Sequence, residues 1–187
     1  MRDARPLLLV DYLSLLYRAY HSVPASVPMN GIHGFLSMLA RLVADRRPSS
    51  LAVAVDDDWR PAFRVAALPS YKAHRVSDEP DPLEPQAACG QDVLRALGVS
   101  VAGTSGYEAE DVIATLAARV PGPVEIVSGD RDPFALVRDP DGRVLYPVKG
   151  VTVLAVIDEA EIRLQLLRWS CPATASVARR TVSGSPM

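Results

Sequence analysis

The sequence predicts an α/β domain with a mainly parallel central sheet. Three observations point there. Short apolar runs of strand length alternate with stretches of helical periodicity. Leu7–Val10 and Leu51–Val55 are apolar throughout, as strands buried on both faces are. Several of the runs end directly in acids, and in open parallel sheets the carboxyl ends of the strands are where ligands bind.

The elements follow in order. "RPLLLVD" reads as a first strand, Leu7 to Val10, with Asp11 at its tip. "YLSLLYRAYHSVP" is a short helix or turn ending near Pro24, and residues 24–31 read as loop. "HGFLSMLARLVADRRP" places Phe35, Leu36, Leu39, Leu42 and Val43 on one helical face and stops before Pro48. "LAVAVDDDW" is a second strand, Leu51 to Val55, followed by Asp56, Asp57 and Asp58. A Pro-rich, charged connection comes next, long enough to be functional or mobile. "EPQAACGQDVLRALG" is a helix closed by Gly98, and "VSVAG" a third strand. "GYEAEDVIATLAARV" supports a helix from about Glu108 to Arg119, stopped by Pro121 and Gly122. "PVEIVSGDRD" gives a fourth strand, Val124 to Val127, with Asp130 and Asp132 beyond its tip. "DPFALV" is a short helix. A turn with two short strands follows, and then the helical stretch "DEAEIRLQLLRW".

Composition narrows the function classes. The 187 residues suffice for one domain with a core, or a domain plus a tail. No apolar run reaches eighteen residues, so no membrane span is expected. Leu7–Val10 is too short for a signal peptide, and the cytoplasm is the expected compartment. Cys89 and Cys171 lack metal-ligand spacing, and Cys89 reads as a small residue packed on a helix. Net charge is −2, so any nucleic-acid contact must come from local clustering. One such cluster exists. Arg60, Arg64, Lys72, His74 and Arg75 fall in a stretch without an acid.

Glu108, Glu110 and Asp111 alone fit an ordinary acidic first turn, favoured by the helix dipole and free N–H groups. Convergence changes that reading. Asp11, the acids from Asp56, the triplet, and the Asp130–Asp132 pair would all lie along one sheet edge. Like charges held close repel, so a fold that gathers them implies a cation. Carboxylates suit Mg²⁺, whereas three scattered histidines disfavour zinc. A pair of such ions can clamp the attacking and leaving oxygens of a phosphodiester. Glu108 and Asp111 share a helix face, with Glu110 turned partly toward a neighbouring position. A phosphate backbone over this edge needs cations, which Lys72 can supply, while Tyr71 can stack on a base.

"LLLVDYLSLLYRAYH", "SYKAHR", "GYEAEDVIATLA" and "VSGDRDPFALV" resemble four ordered blocks of the 5′-nuclease (flap endonuclease-like) family. More narrowly they are similar to the 5′–3′ exonuclease domain of bacterial DNA polymerase I and its stand-alone relatives. The resemblance covers about Pro6 to Glu161. It implies a PIN-like (resolvase-like) three-layer fold with a helical-arch insert. It also implies Mg²⁺- or Mn²⁺-dependent hydrolysis of DNA at 5′ ends, flaps and branched junctions, in replication and repair, with a DNA polymerase as a candidate partner. By the same resemblance Asp11, Glu108 and Glu110 belong to a first metal cluster, Asp111 matches the acid that follows, Asp56 matches the metal-binding acid after the second strand, and Asp130 and Asp132 help to bind a second ion. Asp57 is held in reserve for Asp56, and Glu110 stands where Asp is usual. Lys72, with Asp11, Glu108 and Asp111, is implied in catalysis. Arg18, Tyr71, Lys72 and Arg75 are implied in DNA binding. The family's later "GDxSDNxPGVxGxG" block, with two more aspartates and a helix-hairpin-helix, has no counterpart after Arg163. Residues 164–187 are therefore expected to form a divergent, poorly ordered tail on a truncated domain, and the second metal site to be incomplete. The alternative reading is a non-catalytic remnant with at most DNA binding. An RNA-cutting PIN toxin fits less well, because the chain carries "SYKAHR" on a long insert.

Overall fold

A computed structural model describes residues 5–76 and 81–170. Its six-stranded sheet has the order β3-β2-β1-β4-β5-β6. The strands are β1 (Leu7–Asp11), β2 (Ser50–Ala54), β3 (Ser100–Ala102), β4 (Val124–Val127), β5 (Gly142–Lys149) and β6 (Val153–Ile157). Strands β1 to β5 pair in parallel, and β6 closes one edge antiparallel to β5. β1 lies at the centre, with Leu8, Leu9 and Val10 fully buried. That is why its sequence is apolar on both faces rather than alternating.

Helices cover both faces, giving three layers. On one side α1 (Tyr12–Ser22), α2 (Asn30–Arg46) and α4 (Glu84–Ala96) pack on Leu8, Val10 and Val53 through Leu15, Leu16, Phe35, Leu42 and Leu94. On the other side α5 (Ala109–Arg119) and α6 (Glu159–Ser170) cover Leu9, Ile126 and Val144. The expected sheet, its parallel sense and its helical layers are all present.

Several local expectations shift. Helix α2 begins at Asn30, inside the stretch that reads as loop. The buried Asn30 amide donates to the carbonyls of Tyr20 (2.8 Å) and Val23 (3.1 Å), so it closes the α1–α2 turn and lets the helix start early. Cys89 does sit on a helix, but it is exposed, because α4 turns Gly90 and Leu94 inward. Glu125 interrupts an otherwise apolar strand. It is buried and pairs with Arg46 at the end of α2, at the sheet end away from the acids. Helix α6 runs through Ser170, while the rest of the expected tail lies outside the described residues.

The long connection after β2 carries helix α3 (Ala62–Ala67) and a 3₁₀ turn at Ala73–Arg75. It folds back over the carboxyl edge of the sheet. Arg60 staples its turn internally, donating to the carbonyls of Tyr71 (2.7 Å) and Pro69 (3.1 Å). Phe63 lies 5.5 Å from Tyr107, in the loop before α5, centroid to centroid.

Candidate metal and nucleic-acid site

Asp11 is both the last residue of β1 and the N-cap of α1. Its Oδ1 accepts from the Ser14 N–H (3.2 Å) and its Oδ2 from the Ser128 hydroxyl (2.7 Å). Burial pushes its carboxyl up to about 6 despite those bonds, and the nearby Asp56 and Asp130 add to the rise. Ser128 then passes the contact on, since its Oγ accepts from the Asp130 N–H (3.0 Å). The tips of β1 and β4 are thus tied through one hydroxyl. No sequence pattern singles out Ser128 for this.

Helix α5 places its acids on two sides. Glu110 points toward Asp130 and Asp132, and carboxylate oxygens of the three lie within 4.8 Å of one another. This is the group among the described residues whose spacing suits a metal ion. Burial pushes Glu110 up to about 7, helped by the negative charge of Asp132, Asp130 and Asp11. A hard divalent cation would relieve that repulsion, and the donor set is all oxygen, so the residues fit Mg²⁺ or a similar ion.

Glu108 and Asp111 face the insert instead. Glu108 is 1% exposed and receives Lys72 and Arg64 as direct ion partners. The Tyr71 hydroxyl donates to Glu108 Oε2 (2.7 Å) and accepts from Arg64 (2.8 Å). Arg64 Nη2 reaches Asp111 Oδ1 at 2.6 Å. Burial opposes the charge on Arg64 and on Lys72, yet both are held above their usual values. For Arg64 the Tyr71 hydroxyl and the Glu108 and Asp111 carboxylates outweigh burial; for Lys72, Glu108 does. Asp111 also accepts from the Glu108 N–H (3.2 Å), so the capping reading of these acids holds alongside their convergence.

The remaining candidates are placed as follows. Asp56 Oδ1 accepts from the Ala109 N–H (3.1 Å) at the start of α5, and burial raises its carboxyl pKa, tempered by that bond and by Lys72. Asp57 is exposed and accepts from the Gly106 N–H (2.8 Å), fastening the loop before α5. Asp56 is therefore the one that faces Asp11 and Lys72. Arg75 is exposed on the 3₁₀ turn beside Lys72. The Tyr71 ring has both the Arg64 and Lys72 cations near it, 5.5 and 5.4 Å from the centroid, and its hydroxyl is tied to Glu108. Arg18 donates to the Gly129 carbonyl at 3.2 Å. Arg64 enters the site although sequence reasoning gave it no role. Its one signal is its place in the acid-free basic stretch.

A sequence family described as 5′-3′ exonuclease, N-terminal resolvase-like domain matches residues 6–166. A 5′-3′ exonuclease of Streptomyces coelicolor is 50% identical over 173 residues, which is 83% of this chain and 58% of that protein. DNA polymerase I of Mycobacterium bovis is 41% identical over 162 residues, 81% of this chain and 18% of that protein. The chain thus spans little more than half the length of the first of these relatives. Among solved structures it is similar to the bacteriophage T5 flap endonuclease in a pseudo-enzyme-product complex with DNA and metal ions. That likeness has a TM-score of 0.63 at 21% identity, covering 82% of this chain and 58% of that one, and it shows the shared fold.

Proposed function

Because the chain belongs to the 5′-3′ exonuclease family through its N-terminal resolvase-like domain, we propose that it hydrolyses DNA phosphodiester bonds at 5′ ends and flaps in a divalent-cation-dependent reaction. One observation carries this reading. Acids from the tips of β1, β2 and β4 and from the first turn of α5 meet along one sheet edge, with a cationic insert folded onto the same edge.

Glu110, Asp130 and Asp132, with Asp11 and Asp56 beside them, are the residues that would hold one or two Mg²⁺ or Mn²⁺ ions. Such ions, when bound, polarise phosphodiester oxygens and lower the pKa of an attacking water. Lys72 and Arg64 supply positive charge where a phosphate would approach, and charge stabilisation of this kind is worth most where water is excluded. Phosphate oxygens would replace Glu108 as their partner, leaving Glu108 and Asp111 available to the cation group. Arg75 extends the positive track, and Tyr71, once released, offers a ring for a base. Residues 1–163 are proposed as the catalytic domain unit. The relation to DNA polymerase I supports a polymerase as partner in replication and repair; the cytoplasm is the proposed compartment.

The test is cleavage of a 5′-flap DNA. Cutting is expected only with Mg²⁺ or Mn²⁺, and is expected to vanish in Asp11→Ala and Asp130→Ala. Equal cutting in a chelator, or in both variants, would sink the proposal.

A further inference from the structure

The turn between β4 and the 3₁₀ helix at Asp132–Leu136 carries both Asp130 and Asp132, and α1 grips it at two points. Ser14 Oγ accepts from the Gly129 N–H at 2.8 Å. Arg18, one helical turn further on, donates through Nη2 to the Gly129 carbonyl at 3.2 Å. The Arg18 guanidinium also lies over Tyr146 of β5, 5.6 Å from the ring centroid. Tyr146 in turn meets Phe134 edge to face at 5.8 Å, within the 3₁₀ helix that begins with Asp132. Both polar groups of the Gly129 residue are therefore held from α1, and the next N–H is held by Ser128.

The space beside position 129 is filled by Arg18. Gly129 is not among the residues with positive φ, so its backbone conformation is open to any residue. A Cβ there would overlap the Arg18 guanidinium, whose Nε, Cζ and Nη2 are its three nearest atoms. An arginine that serves a phosphate contributes charge at the surface. This one is half-buried, stacked, and bonded to a carbonyl, so its geometry matters more than its charge.

We propose that Arg18 is a positioning residue for the carboxylate group rather than a DNA contact: it locks the Gly129 turn so that Asp130 and Asp132 face Glu110. The inference rests on the reading of that group as a cation site. Residues that orient metal ligands typically change metal affinity by about 10- to 100-fold when altered. A phosphate-contacting arginine instead weakens DNA binding and lowers its salt slope by about one.

The experiment measures Mn²⁺ binding by electron paramagnetic resonance on the full chain, for Arg18→Met, Gly129→Ala and the double variant. Binding of a labelled 5′-flap DNA in chelator, over a range of salt, is measured in parallel. Thermal midpoints confirm that each protein is folded. Each single variant is expected to lose roughly tenfold or more in Mn²⁺ affinity. The double variant should be little worse than either, because both changes break one contact. DNA affinity and its salt slope are expected to stay at the parent values. Gly129→Ala keeps the arginine and its charge, so it decides the matter if Arg18→Met does not fold. Parent-like Mn²⁺ binding in Gly129→Ala overturns the inference and leaves the cation site standing, as does a shallower DNA salt slope in Arg18→Met with Mn²⁺ binding intact. A parent protein that takes up no Mn²⁺ overturns the cation reading and this inference with it.

Discussion

Asp11 shows how a single side chain can be set against the stability of its own fold. Its carboxyl is raised by burial to about 6, against an ordinary value near 4. A raised acid contributes stability that is fully present below its unfolded pKa and is lost as pH rises through the folded one. At pH 7.5 the ionised Asp11 therefore works against the cation-free fold. Asp11→Asn is expected to raise stability there by about 1 kcal/mol while abolishing cleavage, which urea titration and the flap assay can check together. Arg64→Ala should act in the opposite direction. It removes a cation from the fully buried Glu108, leaving Lys72 and Tyr71 as partners, and a cost of roughly 2 kcal/mol in unfolding free energy is expected, read as a lower urea midpoint. The role of Arg64, beyond its place in a basic stretch, is not legible in the sequence, because its carboxylate partners lie 44 and 47 residues downstream and meet it only once the insert folds back. That of Asp11 is, because a strand tip is a local property of an apolar run and the acid that ends it.

Among the elements, α4 is specified by one close approach. The Tyr12 hydroxyl crosses from α1 to donate to the Ala87 carbonyl at 2.9 Å. A Cβ at Gly90 would overlap that hydroxyl. Glycine within a helix costs about 1 kcal/mol relative to alanine, so Gly90→Ala would stabilise an isolated α4. Here the sign reverses, because Tyr12 is fully buried and has nowhere to move. A loss of about 1–3 kcal/mol is expected, read as a lower thermal midpoint. This pairing also marks the limit of what the sequence conveys about elements. Strands β1, β2 and β4 and helix α5 are legible within a residue or two, because periodicity and punctuation are local. The early start of α2 is not legible, since it depends on Asn30 reaching the carbonyls that end α1. Nor is the outward turn of Cys89, which follows from which face of α4 meets Tyr12. The division of α5's acids between Glu110 on one side and Glu108 with Asp111 on the other follows from helical spacing, but what each side meets does not.

At the scale of the whole molecule, pH and divalent cations should act together. Asp11 and Glu110, raised to about 6 and about 7, resist ionisation in the cation-free protein. As pH rises from about 5 to 8 these two groups should lower its thermal midpoint. Added Mg²⁺ should raise it again, through about 2.7 kcal/mol of added stability at one hundred times its dissociation constant. Cation binding should also release protons near neutrality, seen as a buffer-dependent heat in calorimetry. A cation-induced stabilisation that is flat across this range would contradict the burial assigned to these carboxylates. The sheet order adds a constraint on how the protein comes into being. β1 is made first but sits between β2 and β4, so its second neighbour, residues 124–127, emerges from the ribosome much later. Until then this central apolar strand waits with one side unpaired, open to chaperones or to other nascent chains, and the acids that β4 brings cannot yet meet Asp11. Synthesis itself thus delays assembly of the site until most of the domain has been translated.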